Sequence, residues 1–236
     1  MSDWAAKRFW ETVTVEGQDD GFVVLLDGRL VKTPAKTTLA VPTHAMAQSI
    51  AQEWRDQQDK IDPMTMPVTK TANSALDKVG PQHVEVAELI AAYGENDLLC
   101  YRAPGPVELI ARQAAVWDPI LEWARMNLDA PLSVTQGVMH ADQPANSVAI
   151  LRQLVIAQNP FELAALHDLV SMSGSLVMGL AAQQGAFDIN DLWDWSRLDE
   201  EWQIEQWGRD DDADATAALK KSAFVHALRF FQLLDA

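Results

Sequence analysis

Five histidines and one cysteine are the first residues to test for catalysis or metal binding in this chain of 236 residues. His44, His83, His140, His167 and His226 fall singly, and none has a second histidine one helical turn away to complete a metal face. His140-Ala-Asp142 brings two ligand types together, too few for a metal site. Cys100, in Leu98-Leu-Cys-Tyr101, has apolar neighbours, which predicts an inert buried thiol. The run 174–179 begins and ends with glycine but lacks the Lys-Ser/Thr of a phosphate loop, so close helix packing is its expected use. Only the adjacent acids Glu200 and Glu201 suggest acid–base work, as in a carboxylate-based hydrolase, and adjacent acids on a surface helix ordinarily face water. No metal, cofactor or catalytic residue is expected.

Charge narrows the field further. The chain carries 34 acids against 18 Lys and Arg, a formal net charge of −16 with a pI near 4.5. Such a chain is repelled by phosphate backbones unless it has a basic stripe, and none exists, which excludes nucleic acid as partner. An apolar fraction of 48% is that of a folded globular protein. The acids concentrate between residues 188 and 214, where eleven stand against two cations, and the same stretch holds Trp193, Trp195, Trp202 and Trp207. A tract so rich in large rings folds rather than forming a disordered acidic tail. As one helix over 191–207, it would set Trp195, Leu198 and Trp202 on one side and Trp193, Ile204 and Trp207 on the other. Either both faces are buried, or one, rimmed by carboxylates, is a docking surface.

The elements that must position these residues fall into two parts. Val13 and Val15 alternate with polar residues, and runs at 22–26 and 30–33 flank Asp27-Gly28, a dipeptide suited to a tight type I′ hairpin turn. Pro34 and Pro42 bracket a short extended run at 37–41. Thr43 is placed to cap a helix to about Asp59, with Met46, Ile50 and Trp54 as its apolar stripe. Residues 61–69, with Pro63 and Pro67 among Met64, Met66 and Val68, read as an extended connector near a domain junction. Beyond it helices are expected from Pro81 to Tyr93, over 107–127 with a kink or break at Pro119, and from Asn146 and Pro160. The uncharged stretch 171–182 reads as one buried helix with Ser171, Ser175 and Gly179 as a small-residue face. The fold class is therefore α+β, a small β-rich N-terminal domain over 1–80 followed by a larger, mainly helical C-terminal domain over 81–236.

A lone cysteine forms no intrachain disulfide and points to a reducing compartment. Met1-Ser-Asp-Trp4 has neither a secretory nor an organellar presequence profile, and the apolar stretch 176–182 is far short of the roughly 20 residues that span a bilayer. A bacterial cytoplasmic protein without membrane insertion is expected.

Several motifs occur in a telling order: Lys7-Arg-Phe-Trp10, Leu26-Asp-Gly-Arg-Leu-Val-Lys-Thr-Pro34, Leu39-Ala-Val-Pro42, and Glu53-Trp54 with Gln57. Met66-Pro-Val-Thr69, Leu98-Leu-Cys-Tyr-Arg102, Trp117 to Trp123, Gly174-Ser-Leu-Val177, and Glu200-Glu-Trp-Gln203 leading into Trp207-Gly208 complete it. Over nearly its whole length the chain resembles the ATP synthase assembly chaperones that hold the α subunit of the F₁ head, the family of mitochondrial F₁ complex assembly factor 2 and its bacterial relatives. The resemblance implies a two-part fold and a function without catalysis: transient binding of unassembled α subunit, shielding its subunit-facing surface from aggregation. It implies partner contacts from the segment containing Asp199, Glu200, Glu201, Gln203, Trp207, Gly208 and Asp211, and leaves open which of Asp199, Glu200 and Glu201 makes the acidic contact. It marks Trp54 as needed for chaperone function; its place on the Met46/Ile50 stripe gives that residue a packing role, and Gly28, Gly174 and Gly179 are likewise expected to be structural. The chain departs from the family pattern at Val68, where leucine is usual, and in the extra acidity of 209–212.

Overall fold

The computed structural model describes residues 7–235. They form two compact units: residues 7–83 with 159–165 and 229–235, and residues 84–158 with 166–228. Two stretches from the helical half of the sequence are thus part of the β-rich unit. Strand and helix content are those of an α+β protein.

In the first unit β2 (Gly21–Leu26) is the central strand. It pairs antiparallel with β1 (Val13–Gln18), β3 (Arg29–Leu30) and β4 (Ala40–Val41). The β2–β3 turn is the two-residue one expected: Asp27 and Gly28 have φ of 48° and 76°, the left-handed pair of a type I′ turn. α1 (His44–Asp56) is capped by the Thr43 hydroxyl, which accepts from the Met46 N–H at 3.2 Å. Its buried face of Met46, Ala47, Ile50 and Ala51 joins Val24, Leu26, Val31 and Leu39 in one core, with Trp54 half-buried at its edge.

α1 stops at Asp56, short of the expected Asp59, because Gln57 turns extended and is buried. Its side-chain amide donates to Glu53 and Thr65 and accepts from the Asp62 N–H at 2.7 Å. The expected extended connector is also corrected. Pro63 opens a 3₁₀ turn (Pro63–Thr65) and Pro67 opens α2 (Pro67–Ser74), since a proline costs no hydrogen bond at a helix start. Glu53 fixes that start by accepting from the N–H groups of Val68 and Thr69 at 2.7 and 2.8 Å and from the Thr69 hydroxyl at 2.6 Å.

The second unit is helical but for a short parallel pair. α3 (His83–Ala91) leads to β5 (Tyr101–Arg102), α4 (Val107–Asn127) and β6 (Thr135–Gln136), which pairs with β5. α5 (Ala145–Ile156), α6 (Pro160–Ser173), α7 (Leu176–Gln183), α8 (Ile189–Ser196), α9 (Leu198–Trp207) and α10 (Asp211–Gln232) follow, with residues 160–165 of α6 and 229–232 of α10 belonging to the first unit. α4 runs unbroken through Pro119. The lost bond to Ala115 costs about 3 kcal/mol at most sites, but the same turns bury Trp117, Ile120, Leu121 and Ala124, and that burial outweighs it.

The uncharged stretch 171–182 is not one helix. Gly174 takes a φ of 74° and ends α6, and the buried Ser175 caps α7 by accepting from the Met178 N–H at 3.0 Å. Ser171 is consequently exposed on α6. The expectation of close approach holds at Gly179, where a Cβ would lie 2.7 Å from a methyl of Val170 and 3.0 Å from one of Leu166. Cys100 is buried and its thiol is pushed up to about 12, chiefly by burial. Among the described residues no helix is long and apolar enough to cross a membrane.

Asp97 is wholly buried. Its carboxylate accepts from the Leu99 N–H at 3.1 Å and, at the start of α7, from the Val177 N–H at 3.0 Å. Burial outweighs these bonds and raises its pKa from the ordinary 3.8 to about 6. The native state therefore holds this proton more tightly than the unfolded chain, so Asp97 lowers stability as pH rises from about 4 to about 6. Across that window the loss is about 3 kcal/mol. In denaturant titrations at several pH values, Asp97→Asn should flatten this slope while being less stable throughout, since its NH₂ meets N–H donors; an unchanged slope would refute the assignment. Trp54→Arg should destabilise the first unit by about 2–4 kcal/mol, because Trp54 meets Trp10 edge-on at 5.1 Å and a guanidinium there loses that packing and is poorly solvated. Thermal melts with an unchanged midpoint would make Trp54 a contact residue instead.

Candidate functional site

The acid- and Trp-rich tract is two helices rather than the single one expected, because Arg197 departs from helical geometry with φ −107° and ψ 17°. The two-faced arrangement expected of a single helix over 191–207 therefore does not form. In α8 Trp193 is buried against Phe224, and the Trp195 carbonyl accepts from the Trp117 indole N–H at 2.9 Å. α9 is different: none of its residues is buried.

Two residues of α4 hold α9 in place. Gln113, itself fully buried, donates to Asp199 at 2.7 Å and accepts from the Ala103 N–H at 2.9 Å. Arg112 lies 4.7 Å over the Trp202 ring and donates to both carboxylate oxygens of Glu205 at 2.8 and 2.9 Å. These bonds hold Glu205 below the usual carboxylate range and raise Arg112.

The three adjacent acids thereby become distinct. Asp199 is committed to Gln113, whereas Glu200 is exposed, with only Arg197 at 3.9 Å, and Glu201 is 3.7 Å from Arg209. All three sit in the first turn of α9, where the helix dipole favours negative charge. Gln203 is exposed, and Trp207 is 80% exposed. Glu200, Gln203 and Trp207 follow the i, i+3, i+7 spacing of one helix face.

Gly208, with φ 94°, ends α9, and its N–H is donated to the Ile204 carbonyl at 2.8 Å. Asp210 starts α10 by accepting from the Ala213 N–H at 2.9 Å, so Asp211, Asp212 and Asp214 fall in its first turn. Arg209 bridges the two helices, reaching Asp214 at 3.2 Å as well as Glu201. Lys221 of α10 reaches Asp194 of α8 at 3.0 Å. The first turns of α10 stay exposed, Leu219 at 72%. The tract is thus a helical hairpin presenting one large aromatic ring among carboxylates. Arg112 and Gln113 are absent from the expected site because nothing local marks them; their partners lie about ninety positions on.

Elsewhere, His140 and Asp142 pair at 3.3 Å, and no group of three metal-ligating side chains occurs among the described residues. A groove in this unit, formed by α4, Arg102 and residues 131–134, does not include Glu200 or Glu201 in its lining.

A family model described as ATP12 chaperone protein matches residues 7–125, ending within α4. The crystal structure of Atp12 from Paracoccus denitrificans is 45% identical and superposes with a TM-score of 0.95, covering 97% of this chain and 98% of that one. A protein of Agrobacterium tumefaciens, solved as a candidate chaperone, is 39% identical with a TM-score of 0.92 over 97% of this chain and 86% of its own. The mitochondrial protein atp12 of Schizosaccharomyces pombe is 24% identical over 219 residues, 88% of this chain and 75% of that protein.

Since α4 holds α9 through Arg112, Arg112→Ala should speed amide exchange across Leu198–Trp207 without shifting the melting temperature appreciably. Exchange unchanged in α9 would mean that Gln113 and the hairpin suffice to hold it.

Proposed function

The chain belongs to the ATP12 chaperone family, which serves assembly of the ATP synthase, and from that premise we propose that it transiently binds the unassembled α subunit of the F₁ head through the α9–α10 hairpin. Binding shields the surface that α later presents to its neighbours and so prevents its aggregation. The family is one of assembly chaperones and not of enzymes, which leaves no support for a carboxylate hydrolase built on Glu200 and Glu201.

One observation carries the reading: Trp207 is 80% exposed on a helix that buries none of its residues, whereas the other tryptophans among the described residues are buried or half-buried. An exposed Trp is costly in water and is the residue type that most often anchors an interface. It fits an apolar pocket on the partner. The rim of Glu200, Gln203 and Asp211, with Glu201 beside them, fits a basic border around that pocket. Gly208 sets the turn between Trp207 and Asp211, and Asp199 holds the helix rather than the partner.

Trp207→Ala should weaken capture of α by about 2 kcal/mol or more, as at interface anchors, with folding intact. Glu200→Lys and Glu201→Lys should weaken it roughly tenfold, adding repulsion as well as removing attraction. Wild-type capture should fall as salt shortens the Debye length below about 8 Å, and the reversed variants should depend on salt less. Suppression of α-subunit aggregation, run beside circular dichroism, measures all three. Folded variants that suppress aggregation as well as wild type would remove the hairpin from the binding site.

A further inference from the structure

The helical unit contains a groove of about 530 Å³ that the hairpin does not touch. One wall is a stripe of α4 that includes Ile110, Ala114 and Leu121; the other is the segment 131–134 leading into β6, with Leu132 and Val134. Its cations are each closed into ion pairs, Arg102 with Asp118 at 2.8 Å and Arg125 with Glu122 at 2.6 Å. A groove of zero net charge in a chain of −16 complements an uncharged occupant.

The backbone of the second wall says what form the occupant takes. Ser133 has both of its main-chain groups paired with the Gln143 side chain, at 2.8 and 3.0 Å, and the Gly137 N–H is donated to the Arg102 carbonyl at 2.8 Å. The alternate residues 133, 135 and 137 thus have main-chain partners, in Gln143 and in β5. Residues 132 and 134 alternate with them. Neither the N–H nor the C=O of Leu132 or Val134 has a hydrogen-bond partner among the described residues. Beyond β6 the same segment ends in Val138 and Met139, 95% and 77% exposed.

We propose that this groove is a second client site, which takes an uncharged, apolar segment in extended form as an added strand beside Leu132 and Val134. Main-chain bonds to the bare edge give affinity, and alternate side chains of the segment enter the groove against Ile110, Ala114 and Leu121. From Ile110 to Leu121 the wall is about 16 Å long, the reach of about five extended residues. Such segments are exposed in a subunit that has not met its neighbours, so the site rests on the chaperone role but not on the hairpin or on α as the client.

The test uses the full chain and short overlapping peptides covering all subunits of the F₁ head. Peptides with an uncharged apolar run should bind, and at saturation they should slow amide exchange at Leu132 and Val134 roughly tenfold. Leu132→Asp, which puts a charge in the groove, and Val134→Pro, which deletes an edge donor, should each weaken binding roughly tenfold. Absence of any binding peptide, unprotected amides at 132 and 134 in wild type, or binding unaffected by Leu132→Asp would overturn the proposal. Should Val134→Pro fail to fold, wild-type exchange and Leu132→Asp decide the matter. Failure of wild type to hold whole α subunit, with these peptides still bound at the groove, would strike α as the client of the hairpin and leave this site standing.

Discussion

One buried carboxylate organises the helical unit. Asp97 joins the 3₁₀ turn at Leu98–Cys100 to the start of α7, placing an anion where the unpaired N–H groups and dipole of a helix are most positive. Burial raises its energy and the donors lower it, and burial wins, so the group is costly in isolation. It is tolerated because it fixes α7 in register. α7 then meets α6 through Gly179, where no Cβ would fit, and packs on α4. α4 in turn carries Arg112 and Gln113, which hold α9. α9 can therefore lack a buried residue of its own, its position set by α4, while α10 is anchored directly through its buried Phe224 against Trp193.

The acids of this chain do three separate jobs. Asp97 is structural and buried; Asp199 and Glu205 face inward and are spent on α4; Glu200, Asp211 and Asp212 face water. Composition alone cannot separate them, because burial and partner decide the role and both depend on distant residues. The net charge of −16 hides this sorting.

What is legible in the sequence follows from the range of the physical cause. The Asp27-Gly28 turn, the Thr43 cap and the length of α4 are set by dihedral preference, capping and periodicity within a few residues, and all three appear as expected. Pro63 and Pro67 are misjudged as extended, since proline suits a helix start as well as a strand end, and Glu53, which selects between them, is over a dozen residues away. The breaks at Gly174 and Arg197 are hidden by runs whose composition suits a continuous helix. Gly174 is needed because α6 must end for Ser175 to cap α7 beside Asp97; no local pattern states that. The proposed site's exposed half is visible in the sequence as charge and tryptophan, whereas its support by Arg112 and Gln113 is not.

A chaperone that holds an aggregation-prone subunit has to expose apolar surface without sticking to itself. Trp207 and the groove are separate patches, and the excess negative charge makes copies repel at the distances where such patches would meet. The same charge works oppositely toward a basic partner, speeding encounter while adding little to the tightness of the final contact. On the proposed reading rim charges are screened and exchange readily with water, so release would need no chemical step: a neighbouring subunit that buries more apolar area on the client would displace the hairpin by mass action. On that reading a site of one ring and a few carboxylates suits transient holding better than a deep, rigid pocket, which would hold its client past the moment of assembly.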